Sequence, residues 1–316
     1  MQSNKRGRFY SYMIDFFEKL YYNPKWYYYI VAILLLPISL IYGLVGLVKS
    51  IFIKPKDYGV KIVSIGNLTV GGSGKTPFAI ELINHFANKY KSNIFYISRG
   101  YGRDSKGLVW VKKDGAILSS IKSSGDEAML VAKECRCSVI VSEDRVKAIN
   151  IAKESGADLI ILDDAFSKVG IKKFDILLEP KELPNTLTLP SGPFREFSFA
   201  KKRASLILKE DIDFKREVEF INLSDRMLLV TAIANATRLD KYLPSGVVGK
   251  YILKDHAFFK KDKILEKMQE VKAKTILTTQ KDMVKLEHFN LNVSLMKLRL
   301  DIKRDIIKKI EEYYEK

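Results

Sequence analysis

The chain has 316 residues, enough for one large domain or two of medium size, and its composition is that of a globular protein. Its formal net charge of +17 favours anionic partners, but no Arg-rich arm, zinc finger or aromatic-basic RNA motif accompanies it, so we expect no nucleic-acid partner. Cys135 and Cys137 lie too close together for a disulfide framework, and this predicts a reducing compartment.

The first predicted element is an apolar helix near the N-terminus. Residues 26–48 carry no formal charge, and this uncharged run is long enough to cross a bilayer core of about 30 Å. Lys25 and Lys49 bracket the run, and the aromatic cluster at 26–29 suits a membrane interface. Pro37 leaves open whether the segment spans or dips into one leaflet, and a buried core helix is the alternative. We predict that residues 1–50 associate with an anionic membrane surface.

A glycine-rich loop follows, in "SIGNLTVGGSGKTPFAIEL" at residues 64–82. It joins a predicted buried strand to a predicted amphipathic helix, the setting of a phosphate-binding loop. Lys75 is placed to reach the β- and γ-phosphates, and Thr76 to hold Mg²⁺. The usual pattern has glycine where this chain has Thr69, and a plain glycine-rich turn is the alternative. The predicted nucleotide-binding residues are Thr69, Val70, Gly71, Gly72, Ser73, Gly74, Lys75 and Thr76.

Beyond the loop, strand-like runs alternate with helical stretches as far as about residue 210. Predicted strands cover 93–98, 108–112, 138–142, 158–164, 174–178 and 203–209, with helices between several of them. This alternation predicts an α/β fold, a doubly wound and mostly parallel sheet of the P-loop NTPase type. The charged stretch "EDIDFKREVEF" interrupts the pattern, so we divide the chain into a kinase-like domain at 51–218 and a smaller α/β domain at 219–316.

Several short motifs place charged side chains at strand ends or helix starts. Asp163 and Asp164 end an apolar strand, where a carboxylate can anchor Mg²⁺. Arginines in "SRGYGR" at 98–103 can bind phosphate, although a surface turn is the alternative. Asp126 opens a predicted helix and by itself reads as a helix cap. His256 is one of three histidines, and His85 and His288 are predicted to be structural.

Together, seven motifs resemble the tetraacyldisaccharide 4′-kinases, the lipid A 4′-kinases, in order and approximate spacing. They are "GNLTVGGSGKTP", "SRGYGR", "GDEAML", "LDDAF", "LPSGPFRE", "DHAFF" and "TTQKDMVKL". The resemblance implies a kinase that uses ATP and Mg²⁺ to phosphorylate the 4′-hydroxyl of a lipid A disaccharide precursor. It also implies location on the cytoplasmic side of the inner membrane. We expect a monomer.

The resemblance also assigns roles to individual residues. Lys75 and Arg195 are implied in catalysis, and Thr76, Asp163, Asp164 and Glu196 near the metal. Asp126 and His256 match a pair that activates the acceptor hydroxyl, with Asp126 taking the proton. The chain departs from the family where Asp-Asp-Gly-Leu-Gln-His is usual, since it continues Ala165-Phe166-Ser167-Lys168 after the two aspartates.

Two other classes of protein remain open from the sequence. One is a membrane-tethered P-loop ATPase or switch that transfers phosphate only to water. The other is a basic protein without enzymatic activity that binds nucleic acid or membrane through its charge.

Overall fold

The structure, a computed structural model, describes residues 13, 16–71, 74–180, 183 and 185–316. Residues 16–22 are helical. The α-helices that follow start with the long apolar helix and end near the C-terminus. They are α1 (Trp26–Phe52), α2 (Lys75–Tyr90), α3 (Ile121–Ser124), α4 (Asp126–Glu134), α5 (Arg145–Glu154), α6 (Lys261–Glu270), α7 (Gln280–Leu286) and α8 (Arg304–Glu315).

Eight strands of the described chain form the first sheet. They are β1 (Lys61–Gly66), β2 (Ile94–Ser98), β3 (Val109–Lys113), β4 (Ala116–Ile117), β5 (Ser138–Val141), β6 (Leu159–Asp163), β7 (Phe174–Glu179) and β8 (Leu206–Lys209). Their order is β4-β3-β5-β2-β6-β1-β7-β8. The six strands from β5 to β8 in that order pair in parallel, whereas β3 and β4 are antiparallel additions at one edge.

Helices cover both faces of this sheet. The apolar sides of α2 and α4 pack on one face with residues such as Phe78, Phe86 and Met129, and α5 packs on the other with Ile149. Because both faces are covered, the central strands are apolar up to their last residue, and all five residues of β2 and of β6 are buried. The predicted doubly wound, mostly parallel α/β fold is confirmed.

A second sheet follows, built from β9 (Phe214–Ile221), β10 (Met227–Thr231), β11 (Val247–Ile252), β12 (Thr275–Thr279) and β13 (Val293–Ile302). The order is β11-β10-β12-β13-β9, with β9 antiparallel to β13. The charged stretch that interrupts the strand-helix pattern is β9 itself, whose charged residues alternate with less exposed ones. This strand lies across residue 218, the predicted domain boundary, which stays a prediction.

The C-terminal helix α8 returns to the first sheet. Ile306 and Ile310 are buried in the same core cluster as α2, and Tyr314 packs edge-on against Phe86. The Tyr313 hydroxyl donates to the carbonyl of Ile62 in β1 at 3.1 Å. The amphipathic helix predicted at the end of the chain therefore exists, and its apolar side faces the nucleotide-loop domain.

The apolar helix α1 has an unusually exposed surface. It has the length and hydropathy of a membrane-spanning helix, with a mean hydropathy of 2.6 in its most apolar window. Leu34 is 73% exposed and Ile33 is 68% exposed, whereas Tyr28, Ala32, Ser39 and Gly43 are buried against the rest of the chain. The predicted N-terminal apolar helix is confirmed, and one side of it packs on the protein.

Candidate active site

The glycine-rich loop connects β1 to α2 at the carboxyl edge of the first sheet. Gly74 precedes α2 with φ of +84°, a left-handed conformation that glycine adopts without the strain of a Cβ. Lys75 and Thr76 are the first two residues of the helix, where backbone N–H groups and the helix dipole favour an anion. Gly72 and Ser73 lie outside the described residues, so their predicted role in nucleotide binding stays a prediction.

The start of this loop is held by the segment that precedes Arg195. The backbone N–H of Val70 donates to the carbonyl of Pro193 at 3.0 Å, and the backbone N–H of Arg195 donates to the carbonyl of Leu68 at 2.7 Å. Thr69 forms an antiparallel bridge with Phe194 and is buried. Thr69, which stands where the usual pattern has glycine, is thus part of a short β-contact that fixes the loop.

Asp164 gathers the cations of the site. Nη1 of Arg195 donates to both Asp164 carboxylate oxygens, at 2.8 and 2.6 Å, and Nζ of Lys75 lies 3.6 Å from Oδ1. Lys75 also donates to the side-chain oxygen of Asn67 at 3.0 Å. Burial opposes ionisation of Asp164, but Lys75 and Arg195 outweigh it and hold the pKa of this carboxyl below its usual value.

Asp163, the preceding residue, has the opposite environment. Its side chain is buried, Oδ2 accepts a hydrogen bond from the Tyr96 hydroxyl at 2.9 Å, and Oδ1 has no partner among the described residues. Burial, together with the negative charge of Glu127, raises the pKa of Asp163 to about 6. Arg145, which sequence reasoning missed, donates to the Asp163 carbonyl at 3.0 Å.

The Asp163 environment fits a divalent cation. The buried Asp163 Oδ1 has no hydrogen-bond partner among the described residues and so is available to bind a cation. The Thr76 hydroxyl and the carboxylates of Asp163 and Asp164 are oxygen donors of the kind that Mg²⁺ prefers. No group of three or more His, Cys, Asp or Glu side chains in the described part of the chain is arranged as a metal site. A cation here would take its other ligands from nucleotide oxygens and water.

Glu196 is placed differently from the other predicted metal ligands. Its carboxylate accepts a hydrogen bond from Nη2 of Arg203 at 2.6 Å, and its side chain packs beside Gly46 of α1. The contacts described for Glu196 join it to Arg203 and to the apolar helix rather than to Asp163 or Asp164. Its role as a metal ligand stays a prediction.

Asp126 and His256, 130 positions apart, meet in the structure. Nδ1 of His256 lies 2.9 Å from each carboxylate oxygen of Asp126, and Nε2 lies 3.4 Å from Asp255. The residue that caps α4 is Gly125, and no side-chain cap bond forms there, so Asp126 is not a helix cap. The exposed Tyr101 ring packs 4.9 Å from the imidazole, centroid to centroid.

Two lysines of α7 complete the surroundings of Asp126, and sequence reasoning assigned them no role. Lys285 lies 3.1 Å from Asp126 Oδ2, and Lys281 lies 4.0 Å from the same oxygen. Burial works against ionisation of Asp126, but the hydrogen bond with His256 and the two lysines hold its pKa well below the usual range. Only their place in the motif "TTQKDMVKL" pointed to these lysines.

Several other residues singled out in the sequence make contacts within the protein, away from the residues described above. Arg103 of "SRGYGR" forms an ion pair with Glu143 at 2.6 Å, while Arg99 is exposed at the end of β2. His85 pairs with Glu311 of α8, and His288 packs on Phe289. These contacts agree with the structural reading of both histidines.

A nucleotide-type loop on a doubly wound sheet, together with a carboxylate on a helix of that sheet paired with a histidine from the second sheet, defines a P-loop kinase. A family model described as tetraacyldisaccharide-1-P 4′-kinase matches residues 31–228 and 213–315. The chain belongs to this family.

Curated relatives and a solved structure agree with the family assignment. The tetraacyldisaccharide 4′-kinase of Aliarcobacter butzleri is 46% identical over 299 residues, which cover 92% of this chain and 93% of that protein. The enzyme of the same name from Helicobacter pylori is 42% identical over 300 residues, or 94% of each chain. The crystal structure of LpxK from Aquifex aeolicus in complex with ATP has a TM-score of 0.74 and 27% identity, and covers 90% of this chain and 99% of that one.

Proposed function

We propose that this kinase transfers the γ-phosphate of ATP to the 4′-hydroxyl of a tetraacyldisaccharide 1-phosphate, a lipid A precursor. The observation that carries the proposal is the Asp126–His256 pair: two sheets bring together an acid-base pair in a protein whose phosphate loop holds Lys75. The relatives' shared name supplies the substrate class.

Phosphate binding falls to the loop and to the cations around it. The start of α2 offers backbone N–H groups to the β- and γ-phosphates, and Lys75 and Arg195 supply positive charge. Asp164 contacts both cations and so turns them toward the site. Phosphoryl transfer depends mainly on such positioning and charge neutralisation.

Mg²⁺ is the cation that the donor set fits best. Thr76, Asp163 and Asp164 would hold it, and it would neutralise charge on the phosphate oxygens. Asp163 must lose its proton for this, and its unpartnered Oδ1 is the oxygen free to bind.

Proton removal from the acceptor hydroxyl falls to Asp126 and His256 acting together. As the hydroxyl oxygen forms its bond to the γ-phosphorus, the bond from that phosphorus to the β-phosphate oxygen breaks, and ADP leaves. We place the hydroxyl proton on His256, because the Asp126 carboxylate has a lowered pKa and is a weak base, and because the imidazole is 16% exposed against 4% for the carboxylate. Asp126 and Asp255 then stabilise the imidazolium.

The same proposal covers the membrane. The exposed apolar side of α1 would lie in the lipid, on the cytoplasmic side of the inner membrane, where both ATP and the glycolipid headgroup are present. We propose that the protein works there as a monomer.

The test is incubation of the detergent-solubilised protein with ATP, Mg²⁺ and a tetraacyldisaccharide 1-phosphate, followed by mass spectrometry of the lipid. We expect the lipid to gain one phosphate, and Lys75→Ala to abolish the gain. Lys89→Ala is the matched control, because Lys89 lies on the same helix and contacts Glu311 at the far end from the loop. ATP turnover that is indifferent to the glycolipid would support the ATPase alternative instead.

A further inference from the structure

The segment Thr278–Leu286 contains a buried lysine that the mechanism above does not use. The side chain of Lys285 is 1% exposed, and that of Asp282, three residues earlier on α7, is 0% exposed. Lysine is almost never buried to this extent unless its charge is paired. The burial of Lys285 therefore points to an electrostatic or packing role. Its ammonium cannot reach the substrate, since it is enclosed by protein.

Lys285 joins two carboxylates that belong to different sheets. Its Nζ lies 3.1 Å from Asp126 Oδ2, on α4 of the first sheet, and 3.1 Å from Asp282 Oδ1, on α7 of the second. The ring of Phe259 closes the remaining side, with its centroid 5.9 Å from Nζ. The ammonium therefore sits between the proposed acid-base pair and the second sheet.

Asp282 is itself held rigidly. Its Oδ2 accepts hydrogen bonds from the Thr231 hydroxyl at 2.7 Å, the Thr279 hydroxyl at 3.0 Å and the backbone N–H of Ala232 at 3.1 Å. The backbone N–H of His256 donates to the carbonyl of the same Ala232 at 3.1 Å. The backbone that positions the imidazole and the carboxylate that positions Lys285 thus share one anchor at the end of β10.

We propose that Lys285 is a positioning residue: fixed by Asp282, its ammonium holds the Asp126 carboxylate in place against His256. The proposal rests on the proposed function of the Asp126–His256 pair and adds the residue that orients it. Either Asp126 oxygen lies 2.9 Å from Nδ1, and Lys285 binds Oδ2 while the backbone N–H of Glu127 donates to Oδ1. These contacts leave the carboxylate one orientation.

The other charges that face Asp126 do not replace Lys285. Lys281 lies farther away, is 20% exposed, and is shared with Glu127 at 3.1 Å and Asp255 at 3.4 Å. His256 is charged only when protonated. Without Lys285, Asp126 would keep its burial, the nearby negative charges of Asp282 and Glu127, and only one permanent cation.

The test compares Lys285→Met with Lys285→Arg and with Lys297→Met. Lys297 is the matched control, because its ion pair with Glu134 at 3.0 Å also joins α4 to the second sheet but lies away from Asp126. For Lys285→Met we expect the Asp126–His256 pair to bind its proton at a higher pH, because a nearby positive charge is lost. The pH at which kcat falls on the acid side should therefore rise by about 1–3 units, with an unchanged KM for ATP. Lys285→Arg should restore most of the wild-type profile, and Lys297→Met should leave it unchanged.

A second measurement does not depend on turnover. Proton binding by the Asp126–His256 pair changes the ring ¹⁵N resonance of His256, so the pH of that step should rise by the same amount in Lys285→Met. If the wild-type protein phosphorylates no glycolipid, the proposed function fails, while this step still decides the role of Lys285. Should Lys285→Met not fold, Lys285→Met combined with Asp282→Asn removes the buried charges as a pair, and a smaller shift in the same direction is expected, because the negative charge of Asp282 is lost as well. A uniform loss of kcat at every pH, or an unmoved ¹⁵N step, would mean that Lys285 is only structural.

Discussion

At the scale of single residues, Asp163 and Asp164 show how two adjacent carboxyls acquire different properties. They follow each other at the end of β6, where alternate residues of a strand point to opposite sides. Asp163 points into the protein, beside the Tyr96 hydroxyl, and Asp164 turns out of the strand with φ of +51° toward Lys75 and Arg195. The protein therefore destabilises the ionised form of Asp163 and stabilises the ionised form of Asp164.

Replacing Asp163 by asparagine should abolish turnover and stabilise the fold. The folded pKa of Asp163, about 6, lies above its ordinary value of 3.8, so its ionisation lowers the free energy of unfolding as the pH rises between these values. A shift of about two units corresponds to roughly 3 kcal/mol, present in full above about pH 6 and absent below about pH 4. Thermal unfolding of Asp163→Asn and wild type at both pH values measures it, with kcat recorded in parallel.

Asp164→Asn is the matched control, with the opposite sign. The lowered pKa of Asp164 means that its ionised form stabilises the folded state at neutral pH, and that this stabilisation disappears as the pH falls through the folded pKa. We expect a lower melting temperature near neutral pH. An Asp163→Asn variant no more stable than wild type, or one that keeps full activity, would contradict the assignment of a metal-binding carboxylate held at the expense of stability.

The Asp126–His256 pair should behave as one unit in a double-mutant cycle. Asp126→Asn and His256→Ala should each lower kcat by about 10²–10⁴, the usual contribution of a general base, and leave ATP binding nearly unchanged. The double variant should lose far less than the product of the two factors, because the second change removes a partner that is already disabled. Steady-state kinetics measure this, and His288→Ala, at an exposed histidine, is the control. Losses that multiply would show that the two residues act independently.

At the scale of elements, α1 is bound to the active-site edge by hydrogen bonds as well as by apolar contact. The Ser39 hydroxyl donates to the Ser191 hydroxyl at 2.7 Å and accepts from the Ser191 backbone N–H at 2.9 Å. The Thr188 hydroxyl donates to the Ser39 carbonyl at 2.7 Å. The chain then runs from Ser191 through Pro193 to the contacts with the phosphate loop. The apolar helix and the nucleotide loop are therefore connected through one short segment.

Ser39→Ala should loosen this connection. The change removes the acceptor of a buried backbone N–H, and a buried group left without a partner costs about 1–3 kcal/mol. We expect a lower melting temperature in a fixed detergent and faster proteolysis of the segment around Ser191. Ser50→Ala is the control, since the Ser50 hydroxyl donates only to the Leu47 carbonyl of its own helix. Equal effects of the two changes would show that the Ser39 contacts contribute no more than a local helix bond.

At the scale of the whole molecule, part of the positive charge lies beside the exposed apolar helix. Exposed Lys49 lies in the last turn of α1 and exposed Lys54 just beyond it, and Lys201 and Lys202 follow the exposed ring of Phe199. Leu47 and Lys202 line one cavity, so these two groups of lysines are neighbours. Cations beside an exposed apolar helix favour a bilayer with anionic headgroups.

Changing Lys49, Lys54, Lys201 and Lys202 together to glutamine should weaken binding to anionic vesicles on the order of ten- to a thousandfold. Binding to neutral phosphatidylcholine vesicles should change little, because the apolar helix is intact. Co-sedimentation at low and high salt measures both. The control changes four exposed lysines of the second sheet's surface, Lys260, Lys261, Lys263 and Lys272. A control variant that loses as much affinity would show that only total charge matters.

The sequence by itself determined most elements of the first sheet, the helices at both ends of the pattern and the place of the phosphate loop, but not the strands of the second sheet, since the charged residues of β9 read as a break in the pattern. Strands such as 94–98 and 159–163 are recognisable because a strand covered on both faces is apolar throughout. The glycine at 74 and the Lys-Thr pair after it identify a strand-to-helix phosphate loop because few other patterns place backbone N–H groups around an anion. The motif order further indicated the family, and with it the pairing of Asp126 with His256.

The tertiary structure decided which side chains contact one another. Lys285, Tyr96 and Arg145 have no local signal, since a lysine on a short helix reads as a surface residue until another sheet buries it. Asp163 contacts Tyr96, about seventy positions earlier, and Asp164 contacts Arg195, thirty-one positions later. No periodic pattern in the sequence connects residues so far apart, so it could not predict the two different environments. Local patterns follow from the geometry of one strand or helix. Burial, ion pairing and pKa follow from how separate elements pack, and for this protein only the folded chain brought those elements together.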